Sequence, residues 1–376
     1  MQGELYVLIA TNVATITAQT QRVTLPTGVE LQVELLPNGL LKLGTTTMSN
    51  VPTSVPGLLF PVLWCPREQA VDEQTKVAVR EECAVSANFP DVLILGGCDK
   101  NDRGMSSVLG QDVRVGRWYD MAPMNVPRDE HTVCVRGSTV YVTGGRGGVS
   151  TVECFDTSAC TEWKLLAPLP FGSRNSCAVS WRTEMYLVGG RIPFTECCRN
   201  AILQFQDSWL PFTTLPTCRM GHAAIVVQDS MYVLGGKHGP ALLDTYAAEV
   251  DIYCFLTQQW TKGTPQSNPT VYFGAAAIGS DIYLIGGVDK QQVCRTVHRY
   301  DTRRHAWSTV ASLNTSRYYC AAVSFGSKIR VYGGSGPNKT LLNSVEEYDA
   351  VSNAWTYSDP MPGPPRYGHV AVYMHA

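Results

Sequence analysis

From about residue 78 onward, short apolar runs recur along the chain, and six of them stop at a pair of glycines: VLILGG at Gly96 and Gly97, VYVTGG at Gly144 and Gly145, MYLVGG at Gly189 and Gly190, MYVLGG at Gly235 and Gly236, IYLIGG at Gly286 and Gly287, and IRVYGG at Gly333 and Gly334. Apolar runs of this length, bounded by turn signals and without helical periodicity, predict strands. A strand that ends at Gly-Gly is common. Six of them spaced by roughly 45 to 51 residues form a repeat.

Each unit keeps the same order of parts. Residues 317 to 355 run from Arg317-Tyr318-Tyr319-Cys320 through AAVSF, a turn at GSK, the strand IRVYGG, a polar loop and VEEYD to Trp355. This order predicts a four-stranded antiparallel meander, which is too small to bury its faces alone and so must stack on its neighbours. The aromatic positions agree. Trp118, Trp163, Trp209, Trp260, Trp307 and Trp355 follow the first glycine of each pair by about 19 to 25 residues, and five units add Phe155, Phe205, Tyr253, Tyr300 or Tyr348. At about 150–250 Å² per ring and 25 cal/mol per Å², each buried Trp contributes several kcal/mol of gross hydrophobic stabilisation.

These units resemble kelch repeats, in which a Gly-Gly strand end is joined to a downstream Tyr and Trp. The likeness covers residues 78 to 376. It departs from the pattern in the third unit, shortened between Phe205 and Trp209, and in the first, which lacks the Tyr. The resemblance implies an all-β, six-bladed β-propeller of four-stranded antiparallel blades. After the last Trp, Pro365-Arg366-Tyr367-Gly368-His369-Val370-Ala371-Val372 repeats the opening of a unit and then stops. This segment is expected to complete blade one as its innermost strand and so remove the sheet edges. Arg80 to Val85 compete for the same slot. Residues 1 to 75 stand outside the pattern as an N-terminal segment of uncertain structure, by default a poorly ordered appendage or one packed on the propeller, in which ELYVLI and VELQVELLP are compatible with strands, and residues 76 to 376 are the propeller.

Net charge is -2 on 376 residues, which argues against bulk affinity for nucleic acid or an acidic membrane. Thirteen cysteines, an odd count without a CxxC pair, read as reduced thiols and a cytoplasmic setting. The opening MQGELYVLIATNVATITAQ fits neither a secretory signal nor a membrane span.

Candidate chemistry comes from register. In an antiparallel blade, the residues before the first strand share a face with the loops after Gly-Gly. Counting thirteen back from the first glycine gives Cys83, His131, Ser176, His222, Phe273 and Cys320, with His369 as the closing equivalent. Three residues earlier stand Arg80, Arg128, Ser173, Arg219, Thr270, Arg317 and Arg366, with Arg174 beside the exception. Arg146, Arg191, Lys237, Lys290 and Lys339 lie in the loops of the same face. A fixed slot in a rotational repeat becomes a ring, so the partner-binding face is expected to comprise Arg128, Arg146, Arg174, Arg191, Arg219, Lys237, Arg317 and Arg366, suited to a carboxylate- or phosphate-bearing peptide. The bland reading, in which the arginines pair with neighbours such as Asp129, Glu130, Asp102 or Asp244, carries equal weight.

No metal or cofactor is expected: His131, His222 and His369 occupy one slot on different blades, too far apart to share a zinc ion. No Walker loop or GxSxG is present. The resemblance to kelch-like proteins implies a non-enzymatic protein-interaction module, with substrate recognition for a cullin-type ubiquitin ligase first and an actin-associated scaffold as the alternative. The ligase role needs BTB and BACK domains, and neither is recognisable in residues 1 to 75. A propeller enzyme of the galactose oxidase or sialic-acid epimerase kind is a third reading that no constellation in the sequence supports.

Overall fold

The computed structural model describes residues 90–158, 162–195, 197–239, 245–290 and 292–374, together with strand segments between residues 4 and 65. The chain divides into two compact units, Met1–Phe89 and Pro90–Ala376. In the first unit, β1 (Glu4–Ile9), β2 (Asn12–Ile16) and β7 (Trp64–Cys65) form one antiparallel sheet. A second sheet contains β3 (Thr20–Thr24), β4 (Glu30–Leu35), β5 (Leu41–Thr45) and β6 (Leu59–Phe60) in sequential order. The runs ELYVLI and VELQVELLP therefore supply β1 and β4. Arg80 to Val85 lie outside the described residues.

The second unit is a six-bladed propeller. Blade two is β11 (Thr132–Arg136), β12 (Thr139–Thr143), β13 (Val152–Asp156) and β14 (Lys164–Leu166). Blade three runs β15 (Cys177–Trp181), β16 (Glu184–Val188), β17 (Arg199–Phe205), β18 (Trp209–Arg219). Blade four runs β19 (Ala223–Val227), β20 (Ser230–Leu234), β21 (Val250–Cys254), β22 (Gln259–Gly263). Blade five is β23 (Gly274–Ile278) to β26 (Ala306–Val310), and blade six is β27 (Ala321–Phe325) to β30 (Ala354–Ser358). Blade one holds β8 (Val92–Leu95), β9 (Val108–Gln111) and β10 (Trp118–Met121). Its fourth strand is β31 (Val370–Tyr373), from the C-terminus, pairing Val370 with Leu95 and Tyr373 with Val92. The chain thus closes by the C-terminal strand.

The apolar runs before Gly-Gly become the second strand of blades two to six and β8 of blade one, and their side chains are buried on both faces because neighbouring blades cover each side. This is why the runs are continuous instead of alternating. The cores lie between blades: Ile285, Val297 and Ile329 join Tyr348 and Trp355, while Val92, Ile94 and Ala371 join Val323 and Tyr332. On the third and fourth strands the expected aromatics pair, with Phe155–Trp163, Phe205–Trp209, Tyr253–Trp260, Tyr300–Trp307 and Tyr348–Trp355 centroids 5.2, 5.0, 5.1, 4.9 and 5.1 Å apart. The Trp163, Trp307 and Trp355 indoles donate to the carbonyls of Ala122, Thr264 and Ala311 in the preceding inter-blade linkers, each at 2.8 Å. Trp118, in the blade whose β9 lacks the paired aromatic, meets Tyr332 of blade six edge-on at 6.1 Å.

The glycine pairs have a specific task at the blade joints. The second glycine N–H of each pair donates to a carbonyl of the next blade: Gly97 to Arg128, Gly145 to Ser173, Gly190 to Arg219, Gly236 to Thr270, Gly287 to Arg317 and Gly334 to Arg366, at 2.8–3.1 Å. The same carbonyl presses on the first glycine. At Gly144, with φ +72°, a β-carbon would stand 2.3 Å from the Ser173 oxygen, so no other residue fits.

Candidate partner-binding face

At the end of the propeller that carries the Gly-Gly loops, six residues just before the innermost strands form a closed belt around the axis. Glu130 N–H donates to the Gly368 carbonyl, Asn175 to Glu130, Gly221 to Asn175, Tyr272 to Gly221, Tyr319 to Tyr272 and Gly368 to Tyr319, at 2.7–3.1 Å. All six have positive φ, between 50° and 63°. The four that are not glycine accept a conformation that L residues disfavour, which the belt itself over-determines. Belt residues and those of the neighbouring slot line a cavity of about 110 Å³, Glu130, Asn175, Tyr272 and Tyr319 among them.

The slot histidines pack as joints between blades. His131, His222 and His369 are buried, with their Cε1 atoms against the first glycine of the preceding blade at Gly96, Gly189 and Gly333, and Phe273 takes the same place against Gly235. Burial first, and then the neighbouring Arg128, Arg219 and Arg366, pushes each imidazole down to about 3. A depressed folded-state value means the neutral ring is favoured in the fold, so the stability it contributes is full above the unfolded value near 6.5 and is lost as pH falls toward 3. His131→Phe, which copies the arrangement at Phe273, is expected to flatten the fall of unfolding free energy near pH 5 by about 1.4 kcal/mol per pH unit in chemical denaturation; an unchanged slope refutes the assignment. Among the described residues, no three His, Cys, Asp or Glu side chains converge as a metal-ligand set.

The structure separates the eight basic residues expected on this face into two groups. Arg128, Arg219, Arg317 and Arg366 are 0–2% exposed and point into their blades, which corrects their assignment to the mouth. Arg128 donates Nη1 to the Gly144 carbonyl at 2.7 Å and Nε and Nη2 to Glu153 at 3.1 and 2.9 Å. Arg219 binds the Gly235 carbonyl and Asp251, and Arg317 binds the Gly333 carbonyl and Glu346. Each guanidinium thus ties the first strand of a blade to its Gly-Gly turn and third strand, while its backbone carbonyl holds the previous blade. Glu153 also accepts from the Asn125 and Val126 N–H groups at 2.7 and 3.1 Å, and Glu346 from Asn314 and Thr315 at 2.7 and 3.1 Å. These are buried ion pairs; the Arg128–Glu153 pair is fully hydrogen-bonded, whereas Arg219 Nε, Arg317 Nε and Asp251 Oδ1 have no hydrogen-bond partner among the described residues.

A signal in the sequence marked them. A carboxylate stands two residues before the third-strand aromatic in blades two, four and six, where the slot holds Arg, and is replaced by Leu203 and His298 in blades three and five, where the slot holds Ser173 and Thr270. Arg366 breaks the rule. Leu109, paired with Ile94, takes the place of the carboxylate on the third strand, and Arg366 binds the Gly96 carbonyl and Ser107 Oγ with no carboxylate at ion-pair distance among the described residues, Asp120 acting on it only from farther off.

Arg146, Arg174, Arg191 and Lys237 remain on the face. Arg174 and Arg191 pair as a β-bridge, as do Met220 and Lys237. Arg146 lies 2.7 Å from Asp129 and 3.5 Å from Glu130, and its Nη2 donates to the Tyr367 hydroxyl at 3.1 Å; Arg174 lies 3.5 Å from Glu130. The two carboxylates are buried, at 7% side-chain exposure, while the Arg146 and Arg174 side chains keep 30% and 21%. Asp102, bonded to Tyr367 and 3.8 Å from Arg146, is an exposed acid on the rim. Blades five, six and one present a different surface. Tyr272 stacks on Tyr319 at 4.3 Å, and Tyr318 and Tyr367 flank them at 5.5 and 6.0 Å. Sequence reasoning missed this tyrosine arc because it counted cations only.

One cysteine expectation is also corrected. Cys198 and Cys218 form a disulfide with Cα atoms 5.5 Å apart, brought together because Arg199 and Arg219 pair across β17 and β18. Eight other cysteines among the described residues are unpaired. No helix among the described residues is long and apolar enough to cross a membrane.

Comparison with known proteins agrees with this architecture. A family model described as the KLHDC2/KLHL20/DRC7 Kelch-repeats domain matches residues 178–376, and the Kelch motif matches residues 127–170. The chain is similar to Kelch-like protein 25 of Xenopus tropicalis, at 26% identity over 279 residues covering 70% of this chain and 46% of that protein. It is likewise similar to Kelch-like protein 23 of Homo sapiens, at 28% over 257 residues covering 65% and 44%. The chain thus spans less than half the length of these curated relatives. The solved structure of YjhT shares the fold, with a TM-score of 0.59 at 18% identity over 66% of this chain and 88% of that one. With six Gly-Gly blades, paired third- and fourth-strand aromatics and a family model covering more than half its length, the chain belongs to the kelch-repeat β-propeller family.

Proposed function

We propose that the propeller is a recognition module that captures a protein partner on its Gly-Gly loop face, through a segment bearing carboxylates or phosphates. One observation carries this reading: Arg146 and Arg174 keep part of their side chains exposed at this face while Asp129 and Glu130, which are buried, hold the guanidinium groups in place. Guanidinium groups oriented in advance bind such anions with little ordering cost. The kelch-like relatives and the propeller fold support an interaction module. The finer reading is substrate recognition for a cullin-type ubiquitin ligase in the cytoplasm.

The test uses the exposed pair, since the buried arginines are structural. Affinity capture from cell extract followed by mass spectrometry names a partner, and calorimetry then compares the wild-type chain with Arg146→Gln/Arg174→Gln. Affinity is expected to fall by roughly 30-fold or more, with charge-assisted hydrogen bonds each contributing about 1.5–3 kcal/mol. Unchanged affinity in the folded double mutant rejects the face. Actin filament co-sedimentation that survives the double substitution would instead favour the scaffold role through the outer blade edges.

A further inference from the structure

The loop after Gly190 holds a feature that the fold does not use. Phe194 is 93% exposed, the most exposed large apolar side chain among the described residues, and its backbone sits at φ +58°. A bulky residue in the left-handed region is strained, and an exposed ring gains nothing from burial, so neither cost is returned by folding. The loop nevertheless fixes this conformation. Ile192 N–H donates to the Cys197 carbonyl at 2.9 Å, Thr195 Oγ1 to the Ile192 carbonyl at 2.9 Å, and Arg191 Nε to the Thr195 carbonyl at 2.8 Å. The Cys198–Cys218 disulfide lies at its base.

The surroundings leave the ring open to a partner. It is flanked by the turn Arg146–Gly148 of blade two, where a β-carbon on Gly148 would stand 3.1 Å from Phe194 Cε2 and one on Gly147 would meet nothing within 4 Å. The glycines keep this side of the ring low and flat. Arg191 begins the loop, and its β-bridge to Arg174 joins the loop to the cationic half of the face.

We propose that Phe194 is the anchor of the partner interface: a rigid aromatic plug that is enclosed by apolar side chains of an acidic polypeptide segment while that segment's carboxylates meet the adjoining cations. The inference rests on the reading that the loop face binds the partner. Charge complementarity selects an acidic occupant, and rigid, protruding aromatics are the groups that dominate interfaces when enclosed, since binding then orders nothing further.

The probe is a random-peptide phage library selected against the full wild-type chain. Enriched clones are expected to place carboxylates around two or more apolar residues. Their affinity is expected to fall by roughly tenfold or more on Phe194→Gly, and likewise on Phe194→Asn. Glycine and asparagine both tolerate the left-handed region, so these variants should melt at or above the wild-type temperature. Clones that bind Phe194→Gly as well as wild type but lose binding on Arg146→Gln/Arg174→Gln overturn the anchor while leaving the face intact; clones indifferent to the arginine pair reject the face itself. An empty selection, or a Phe194-dependent dimer in light scattering, also overturns the proposal, the dimer in favour of a second copy of this chain.

Discussion

A chain ending at Pro364 is expected to lose its cooperative unfolding transition and to bind hydrophobic dyes under native conditions. The truncation removes β31 and exposes Val92 to Leu95, all 0–1% accessible in the closed ring, as an unpaired apolar edge. It also cuts the belt at Gly368, deleting one bond donated by Glu130 and one accepted by Tyr319, and deprives Gly334 and Cys98 of their acceptors at Arg366 and Tyr367. Ala371 leaves the core it shares with Ile94 and Tyr332. No single residue among these is decisive; the loss comes from opening a structure whose sheets are covered only by one another. A synthetic peptide spanning residues 364 to 376, added to the truncated chain, should restore the transition by strand addition. A truncated chain that melts cooperatively at the wild-type temperature would show that closure does not hold the ring.

The second large effect concerns the buried arginines. Arg128→Met leaves the Glu153 carboxylate at 0% side-chain exposure with only two backbone donors, and a cost of about 3–5 kcal/mol is expected in denaturant unfolding. Arg128→Met/Glu153→Leu should recover most of it, since blade three already holds together with Ser173 and Leu203 in these places. Arg366→Met is the control. With Leu109 at the carboxylate's position on the third strand and no buried ion pair to break, it should cost distinctly less than Arg128→Met. Equal costs at the two positions, or a double mutant no better than the single, would mean that the guanidinium-to-carbonyl bonds and not the ion pair account for the stability.

Periodicity carried the fold in the sequence because blade joints need particular residues. Gly144 must lack a side chain where Ser173 presses on it, and the Trp163 indole must reach the Ala122 carbonyl, so both recur visibly. Register also identified the closing strand. The site was less legible, for a physical reason. A slot on a rotational repeat fixes where a Cα stands but not whether its side chain faces the pore or turns into the blade, and for Arg128, Arg219 and Arg317 that choice is made by Glu153, Asp251 and Glu346 on a strand about 25 to 32 residues away. The belt was not legible at all. Glu130, Asn175, Gly221, Tyr272, Tyr319 and Gly368 share a backbone conformation and no chemistry.

That last property gives the molecule its latitude. Because the rim is fastened through main-chain atoms, the identities of the side chains it displays are decoupled from whether the ring holds. Tyrosine, glutamate and asparagine stand at interchangeable stations, so the chemistry offered to a binding partner can be rewritten one station at a time while the frame that presents it stays the same.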